Sequence, residues 1–176
     1  MKYLDEAGAQ REAVLARLSA LPRKILELLD HQVVTELVFH ELCGDHCFGL
    51  KRAAYIVDNP DFDCCRGIVG FDAEESSADI EEGWRDPLQF EQRVKSLPFN
   101  QKVRDLSYAS VSKNNSDYVV KELGRQLGIV DPAVRSWRIK NGNYGLLLFE
   151  HENDASHAGM ELLDNGLSIL GFCPLF

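Results

Sequence analysis

The stretch Asn143-Tyr-Gly-Leu-Leu-Leu-Phe-Glu-His151 is typical of a β-strand that is apolar on both faces. Such strands occupy the centre of a sheet, where both faces are covered. Asn141-Gly142 precedes the stretch, and a strand-like run over residues 134–140 precedes that pair. Asn-Gly between two strands is the strongest short-range signal of a β-hairpin, because a type I′ turn needs positive φ at both central residues. The sequence therefore predicts a hairpin with a two-residue turn at 141–142.

The register of this hairpin predicts which side chains share a face of the sheet. With 141 and 142 as the turn, Trp137 faces Leu146 and Arg135 faces Leu148. One face then forms a candidate binding surface: Arg135, Trp137, Ile139, Tyr144, Leu146 and Leu148. Most of these side chains are large and apolar, and a patch of that size is rarely left in water. We therefore expect this face to be covered, either by the protein's own N-terminal elements or by a second subunit.

The elements around the hairpin predict a ferredoxin-like β-α-β-β-α-β order. A strand is expected over residues 106–112, a helix from Ser116 to Gly128, a helix through Leu163 and a last strand over 167–172. The fold class expected is thus α+β, with a ferredoxin-like domain at residues 104–176. Residues 1–103 are expected to form a helical region with its own hairpin.

The N-terminal half is predicted from its helical spacing and its turn signals. Apolar residues recur at helical spacing over 4–21, and Pro22 fits the first turn of a second helix. A further helix is predicted over 33–42, ending near Gly44. A second hairpin is expected from strands at 53–57 and 62–71, and Asp86-Pro87 marks the start of another helix.

The segment Tyr144-Gly145-Leu146-Leu147-Leu148-Phe149-Glu150 resembles the RNP1 strand of an RNA-recognition motif. The resemblance covers about residues 106–172 and implies a ferredoxin-like sheet that stacks RNA bases on aromatic side chains. The stacking positions are Ser107, Tyr144 and Leu146 here, so Tyr144 alone is aromatic, and we expect no specific RNA binding. Residues 162–169 resemble the helix-to-strand passage of an ACT domain, which implies regulation by a small ligand.

Composition and charge restrict the classes of partner. The net charge of −9 argues against a nucleic acid or an anionic membrane as partner. The N-terminal Met-Lys-Tyr-Leu-Asp-Glu has no apolar region typical of a signal peptide, and no apolar run approaches the length that spans a bilayer. We therefore expect a cytoplasmic protein with no membrane partner and with reduced cysteines.

A cluster of cysteine and histidine is the sharpest chemical feature. Its candidate metal ligands are His40, Cys43, His46, Cys47, Cys64 and Cys65. A continuous helix would place His40, Cys43 and Cys47 on one face, and these residue types bind zinc or another transition metal. The alternatives are thiol redox chemistry and ordinary core and surface roles. His31 also belongs to the cluster, and His151 and His157 flank the start of the last predicted helix.

The sequence contains no Gly-x-Ser-x-Gly, no phosphate-binding loop and no His-Glu-x-x-His, so it predicts no catalytic residues. We therefore predict a small acidic, non-catalytic binding or regulatory protein. Its expected partner is another protein, a second copy of the chain or a small ligand. A metal-binding or thiol-active protein is the first alternative, and an RNA-binding module is the second. No cofactor is expected unless the cysteine and histidine cluster holds a metal.

Overall fold

The computed structural model describes residues 2–28, 33–76, 79–150 and 160–175. These ranges contain seven α-helices and five β-strands. In chain order they are α1 (Lys2–Glu27), α2 (Val34–Cys43), β1 (Arg52–Asn59), β2 (Cys64–Asp72), α3 (Ile80–Arg85), α4 (Pro87–Ser96), α5 (Pro98–Arg104), β3 (Ser107–Tyr108), α6 (Ser116–Leu127), β4 (Ala133–Arg138), β5 (Tyr144–Glu150) and α7 (Leu163–Leu170). The α+β class is confirmed.

All five strands belong to one antiparallel sheet in the order β3-β2-β1-β5-β4. Two hairpins, β1–β2 and β4–β5, are joined through their inner strands, with Arg52 opposite Glu150 and Asp58 opposite Tyr144. Strand β5 therefore lies inside the sheet, as its apolar character on both faces indicates. The strands that precede and follow residue 103 are parts of the same sheet.

Helices cover both faces of this sheet. Helices α1, α2 and α7 pack on one face, which we call the α7 face, where Tyr55, Leu147 and Phe149 are buried. Helices α5 and α6 pack on the other, which we call the α6 face, where Leu146 and Leu148 are buried. The protein's own helices thus bury Leu146 and Leu148, although the covering helices lie after residue 97 rather than at the N-terminus.

The C-terminal half does not follow the ferredoxin-like order expected from the sequence. The predicted last strand over 167–172 is helical as far as Leu170, because Leu163, Leu167 and Leu170 recur at helical spacing and are buried in the α7-face core. The predicted strand over 106–112 is reduced to β3, which pairs with β2. The neighbour that β5 gains on its inner side is β1, from the N-terminal half.

Most local signals in the N-terminal half give the expected elements. Helix α2 ends at Gly44, and the Asp86 side chain accepts from the Gln89 amide at 3.1 Å at the start of α4. Pro22, however, lies inside α1 and does not start a new helix. None of the helices in the described ranges combines the length and apolar character needed to cross a membrane.

Candidate binding surface

The β4–β5 hairpin has a loop one residue longer than predicted. The Ile139 amide donates to the Asn143 carbonyl at 3.0 Å, so Lys140 belongs to the loop together with Asn141 and Gly142. Both Asn141 (φ 60°) and Gly142 (φ 74°) adopt the left-handed conformation that the Asn-Gly signal indicates. The Asn-Gly hairpin is therefore present, but its register is shifted by one residue.

This shift changes which side chains share a face. Trp137 lies opposite Gly145 rather than Leu146, and Arg135 lies opposite Leu147 rather than Leu148. A slip of one residue turns a whole strand over relative to its neighbour. Arg135 and Trp137 therefore lie on the α7 face. Tyr144, Leu146 and Leu148 lie on the α6 face. The six residues predicted to form one surface are divided between the two faces of the sheet, with Ile139 at the loop end of β4.

Trp137 is held in place by its neighbours on the α7 face. Its ring stacks on Tyr55 with 5.3 Å between centroids and 27° between planes. Gly145 lies directly beneath the indole, and a Cβ atom there would overlap the ring, so any larger residue at this position would displace Trp137. Trp137 is only partly buried. It belongs to β4, the outer strand, so the exposed part of its ring lies at the edge of the sheet.

Strand β4 forms the outer edge of the sheet, with no further strand beside it in the described part of the chain. Hydrogen-bonded and non-hydrogen-bonded pairs alternate along an antiparallel ladder, and Ile139 with Asn143 is a hydrogen-bonded pair. The amide and carbonyl groups of Val134, Ser136 and Arg138 therefore point away from β5. The Val134 carbonyl accepts from the Arg135 guanidinium at 3.1 Å, which agrees with an outward direction. These three residues form what we call the open edge.

Two adjoining clefts of about 450 and 460 Å³ follow the open edge on the α7 face. Trp137 and Ser168 line both clefts, Ile139 and Phe172 line the second, and Phe172 is 78% exposed. The clefts thus place apolar surface beside the end of β4 that leads into the hairpin loop.

A larger cleft of about 710 Å³ lies on the α6 face, between α6 and the β4–β5 hairpin. Val134 and Ser136 of β4, Tyr144 of β5 and Lys121 of α6 are among its lining residues. Tyr144 is 36% exposed, and it is the only residue at the predicted RNA-stacking positions with an aromatic ring. Because helices cover both faces of the sheet, the described residues leave no broad sheet surface on which bases could stack.

The charge along the open edge is opposite in sign to that of the chain. Residues 133–143 contain Arg135, Arg138 and Lys140 and no acidic residue, whereas the chain carries a net charge of −9. All three basic side chains are exposed. Asp164 of α7 lies 3.9 Å from the Arg135 guanidinium. The predicted register did not place Arg138 on the α6 face, and the predicted strand over 167–172 did not place Phe172 beside Trp137. The purely basic segment in an acidic chain is a signal that the sequence does contain.

The predicted metal ligands do not converge. Cys43 and Cys47 are buried in the α7-face core, Cys65 is buried in the α6-face core, and His46 is exposed. The Cys65 thiol lies 3.5 Å from the Ala109 carbonyl, and Cys64 is partly buried at the start of β2. No group of three or more Cys, His, Asp or Glu in the described ranges is arranged to hold a metal ion. His31, His151 and His157 lie outside the described residues.

Burial makes four of the five thiols unreactive. All five cysteines are free. Burial raises the pKa of Cys47, Cys65 and Cys173 to about 12 and that of Cys43 well above its usual value. The thiolate is the reactive form of cysteine, so these four thiols are poor nucleophiles at neutral pH. Their positions fit the alternative of ordinary core roles.

His40 lies in the last turn of α2 and is packed among aromatic side chains. The rings of Phe71 and Phe90 contact its imidazole edge-on, with centroid distances of 5.3 and 5.4 Å. Its Nδ1 atom lies 3.4 Å from Ser76 Oγ. Burial lowers the pKa of His40 to about 4, and the Nε2 atom is buried without a hydrogen-bond partner among the described residues. His40 is therefore neutral at physiological pH and is an internal packing residue.

Comparisons with protein-family models, with curated proteins and with solved structures found no match to this chain. The resemblance to the RNA-recognition and ACT families therefore stays a prediction from the sequence.

Proposed function

We propose that the protein is a non-catalytic binding protein that recognises a protein partner along the open edge of β4. The observation that carries this proposal is the outward direction of the backbone groups of Val134, Ser136 and Arg138, with clefts on both faces beside them. An extended segment can add to such an edge as a further strand. Main-chain hydrogen bonds then supply affinity, and alternate side chains enter pockets on either face.

The side chains around the open edge have the composition of an interface. Tryptophan, tyrosine and arginine dominate the binding energy of most protein interfaces, and Trp137, Tyr144, Arg135 and Arg138 all border this edge. Charged residues on an edge strand also serve simply to prevent aggregation. That protective role does not require an exposed aromatic side chain, yet Phe172 stands beside Trp137. The combination of basic and aromatic groups therefore supports recognition.

A small ligand in the α6-face cleft is the second candidate. Its volume of about 710 Å³ lies within the usual range for ligand pockets, and Ser136, Lys121 and Tyr144 offer polar groups beside apolar ones. The metal-binding and thiol-active alternatives receive less support, because no group of three or more Cys, His, Asp or Glu in the described ranges is arranged to hold a metal ion and burial raises the pKa of four of the five thiols. A ligand in this cleft could regulate partner binding, because Val134 and Ser136 belong both to the cleft and to the open edge.

Site-specific photo-crosslinking tests the proposal. A benzophenone amino acid at position 136 should form an adduct with a partner protein, whereas the same group at Leu88, an exposed residue of α4, should not. The partner found in the adduct is then purified and its affinity for the chain measured. Failure of position 136 to give any adduct beyond those at position 88 would overturn the proposal.

Matched variants of Ser136 make the affinity measurement specific for strand addition. Ser136→Pro removes an outward amide and blocks the edge, but takes no hydrogen bond from the β4–β5 ladder, so the fold should survive. Ser136→Ala retains the amide. We expect the proline variant to lose at least about tenfold in affinity for the purified partner and the alanine variant to bind normally. Equal binding by both variants would contradict strand addition.

A further inference from the structure

We infer that the segment bound at β4 is an acidic, extended stretch of the partner protein, with an acidic residue beside Arg138 and an apolar residue beside Trp137. This inference rests on the proposed function and adds the chemistry of the partner. It follows from the alternation of side chains along β4, from the charge of the open edge and from the different side chains that border this edge on the α7 face and on the α6 face.

Neighbouring strands place laterally adjacent side chains on the same face of a sheet. A partner residue beside Trp137 must therefore point to the α7 face, where Trp137, Ile139 and Phe172 border the cleft. The residues before and after it must point to the α6 face, where Arg138 stands at the hairpin end. The bound segment thus needs an apolar side chain flanked by at least one side chain that suits Arg138.

The charges favour an acidic residue at that position. Arg138 forms no ion pair within the described residues, and Lys140 follows it in the exposed loop. Arg135, nearer the middle of the strand, is only loosely neutralised by Asp164. A carboxylate beside Arg138 would gain charge-assisted hydrogen bonds, which are stronger than those between neutral groups. A basic segment would meet like charges along the whole strand.

A second copy of the chain fits this edge poorly. Pairing two β4 strands antiparallel would bring two copies each of Arg135 and Arg138, and no acidic residue of β4, into one ladder, where charges of the same sign repel each other. A nucleic acid is also disfavoured. Asp131 lies just before β4 and Asp117 lines the α6-face cleft, so the basic groups do not extend into the broad positive surface that a phosphate backbone requires.

A phage-displayed library of random linear peptides provides the test. Selection on the wild-type protein should enrich peptides in which Asp or Glu stands next to an apolar residue. Selection on Arg138→Glu should instead enrich Lys or Arg at the acidic position. Arg85→Glu is the matched control, because it makes the same change of charge on α3, where Arg85 is exposed. Selection on this control should give the wild-type preference.

Affinities of the best acidic peptide complete the experiment. We expect Arg138→Glu to weaken its binding by at least about tenfold, Arg85→Glu by less than about twofold, and added salt to weaken binding to the wild type. Peptides that need an open edge, as shown by loss of binding in Ser136→Pro, but carry no acidic residue would overturn the inference and leave the proposed function intact.

Three further outcomes would overturn the inference. If no peptide is selected in an edge-dependent way and no crosslinked partner appears at position 136, both the inference and the proposed function fail. A dimer that dissociates in Ser136→Pro would identify a second copy as the occupant and overturn the inference. A single-stranded RNA that competes for the same edge while acidic peptides do not bind would overturn it as well.

Discussion

At the residue scale, His40 shows how a chemically reactive residue becomes a packing residue. The sequence places it in a cluster with cysteines, but in the fold its imidazole touches Phe71 and Phe90 and is 4% exposed. Transfer of a charge into such surroundings is costly, so the neutral ring is favoured and the pKa falls to about 4. The sequence shows that cysteine and histidine are concentrated in this segment. It does not determine which core or surface each side chain enters in the fold.

The depressed pKa of His40 predicts a specific dependence of stability on pH. The unfolded chain binds a proton at this residue near pH 6.5, whereas the folded chain does so near pH 4. The stabilisation is therefore complete above about pH 6.5 and is lost as the pH falls toward 4, to a total of about 3 kcal/mol. Urea unfolding between pH 4 and 7 should show a smaller loss of stability for His40→Gln than for the wild type.

His46 supplies the control for this measurement. It lies only six positions away in the chain, but it is exposed, so His46→Gln should retain the wild-type dependence on pH. Carboxylates also titrate in this interval, and the comparison between variants removes their contribution. If His40→Gln and the wild type lost stability in parallel, the buried imidazole would not be the source of the effect.

At the scale of the elements, local signals predicted where many helices and turns lie but not how strands pair. Asp86-Pro87 marks α4, and Gly128 closes α6 with a φ of 73°. The Asn-Gly hairpin was also readable, yet its register depended on whether Lys140 joined the loop, and that choice carries no strong local signal. The helix over Leu163–Leu170 was missed because its short apolar run suits a strand as well as a helix.

Pro22 gives a prediction about helix α1. It lies at an exposed position inside the helix and cannot donate a hydrogen bond to the Leu18 carbonyl one turn earlier. Pro22→Ala restores that donor and should raise the free energy of unfolding, by up to about 3 kcal/mol. Chemical denaturation measures the change. The control is Arg23→Ala on the neighbouring exposed position, for which a change within about 0.5 kcal/mol is expected.

Such a gain in stability would show that α1 is continuous through residue 22 and that Pro22 destabilises it there. A loss of stability in Pro22→Ala would instead mean that the proline favours the native path of the chain, through fewer conformations in the unfolded state. The sequence-based prediction of a helix start at Pro22 failed because the buried residues Leu18, Leu21 and Ile25 keep α1 against the sheet on both sides of the proline.

At the scale of the whole molecule, the sheet unites the two halves of the sequence. Strands β1 and β5 are central neighbours, yet one precedes and the other follows the predicted boundary at residues 103–104. Long-range pairing of this kind leaves no trace in local periodicity, so the sequence could suggest a hairpin in each half without indicating that they join. The covered faces follow from this union, since each half supplies helices to the sheet.

We therefore predict that fragments 1–103 and 104–176 do not fold separately. Fragment 1–103 would expose the edge of β1 that pairs with β5, and fragment 104–176 would expose the matching edge of β5. Each fragment would also expose apolar side chains that the other fragment covers in the intact chain. Mixed together, the two fragments should regain native far-ultraviolet circular dichroism and a single cooperative unfolding transition. Cooperative unfolding of either fragment alone, with a well-dispersed NMR spectrum, would contradict this prediction and support two independent domains.

The pairing of β1 with β5 also sets the order of events during synthesis. Strand β5 ends roughly 80 residues after β2, which corresponds to roughly 4–16 s at the usual rate of translation. During that interval the first hairpin has left the ribosome while the inner edge of β1 still lacks its neighbour. Edge backbone groups and apolar side chains are then accessible to other nascent chains. The period of greatest risk for this protein is therefore the wait for its last strand, when a chaperone that shields β1 would be most useful.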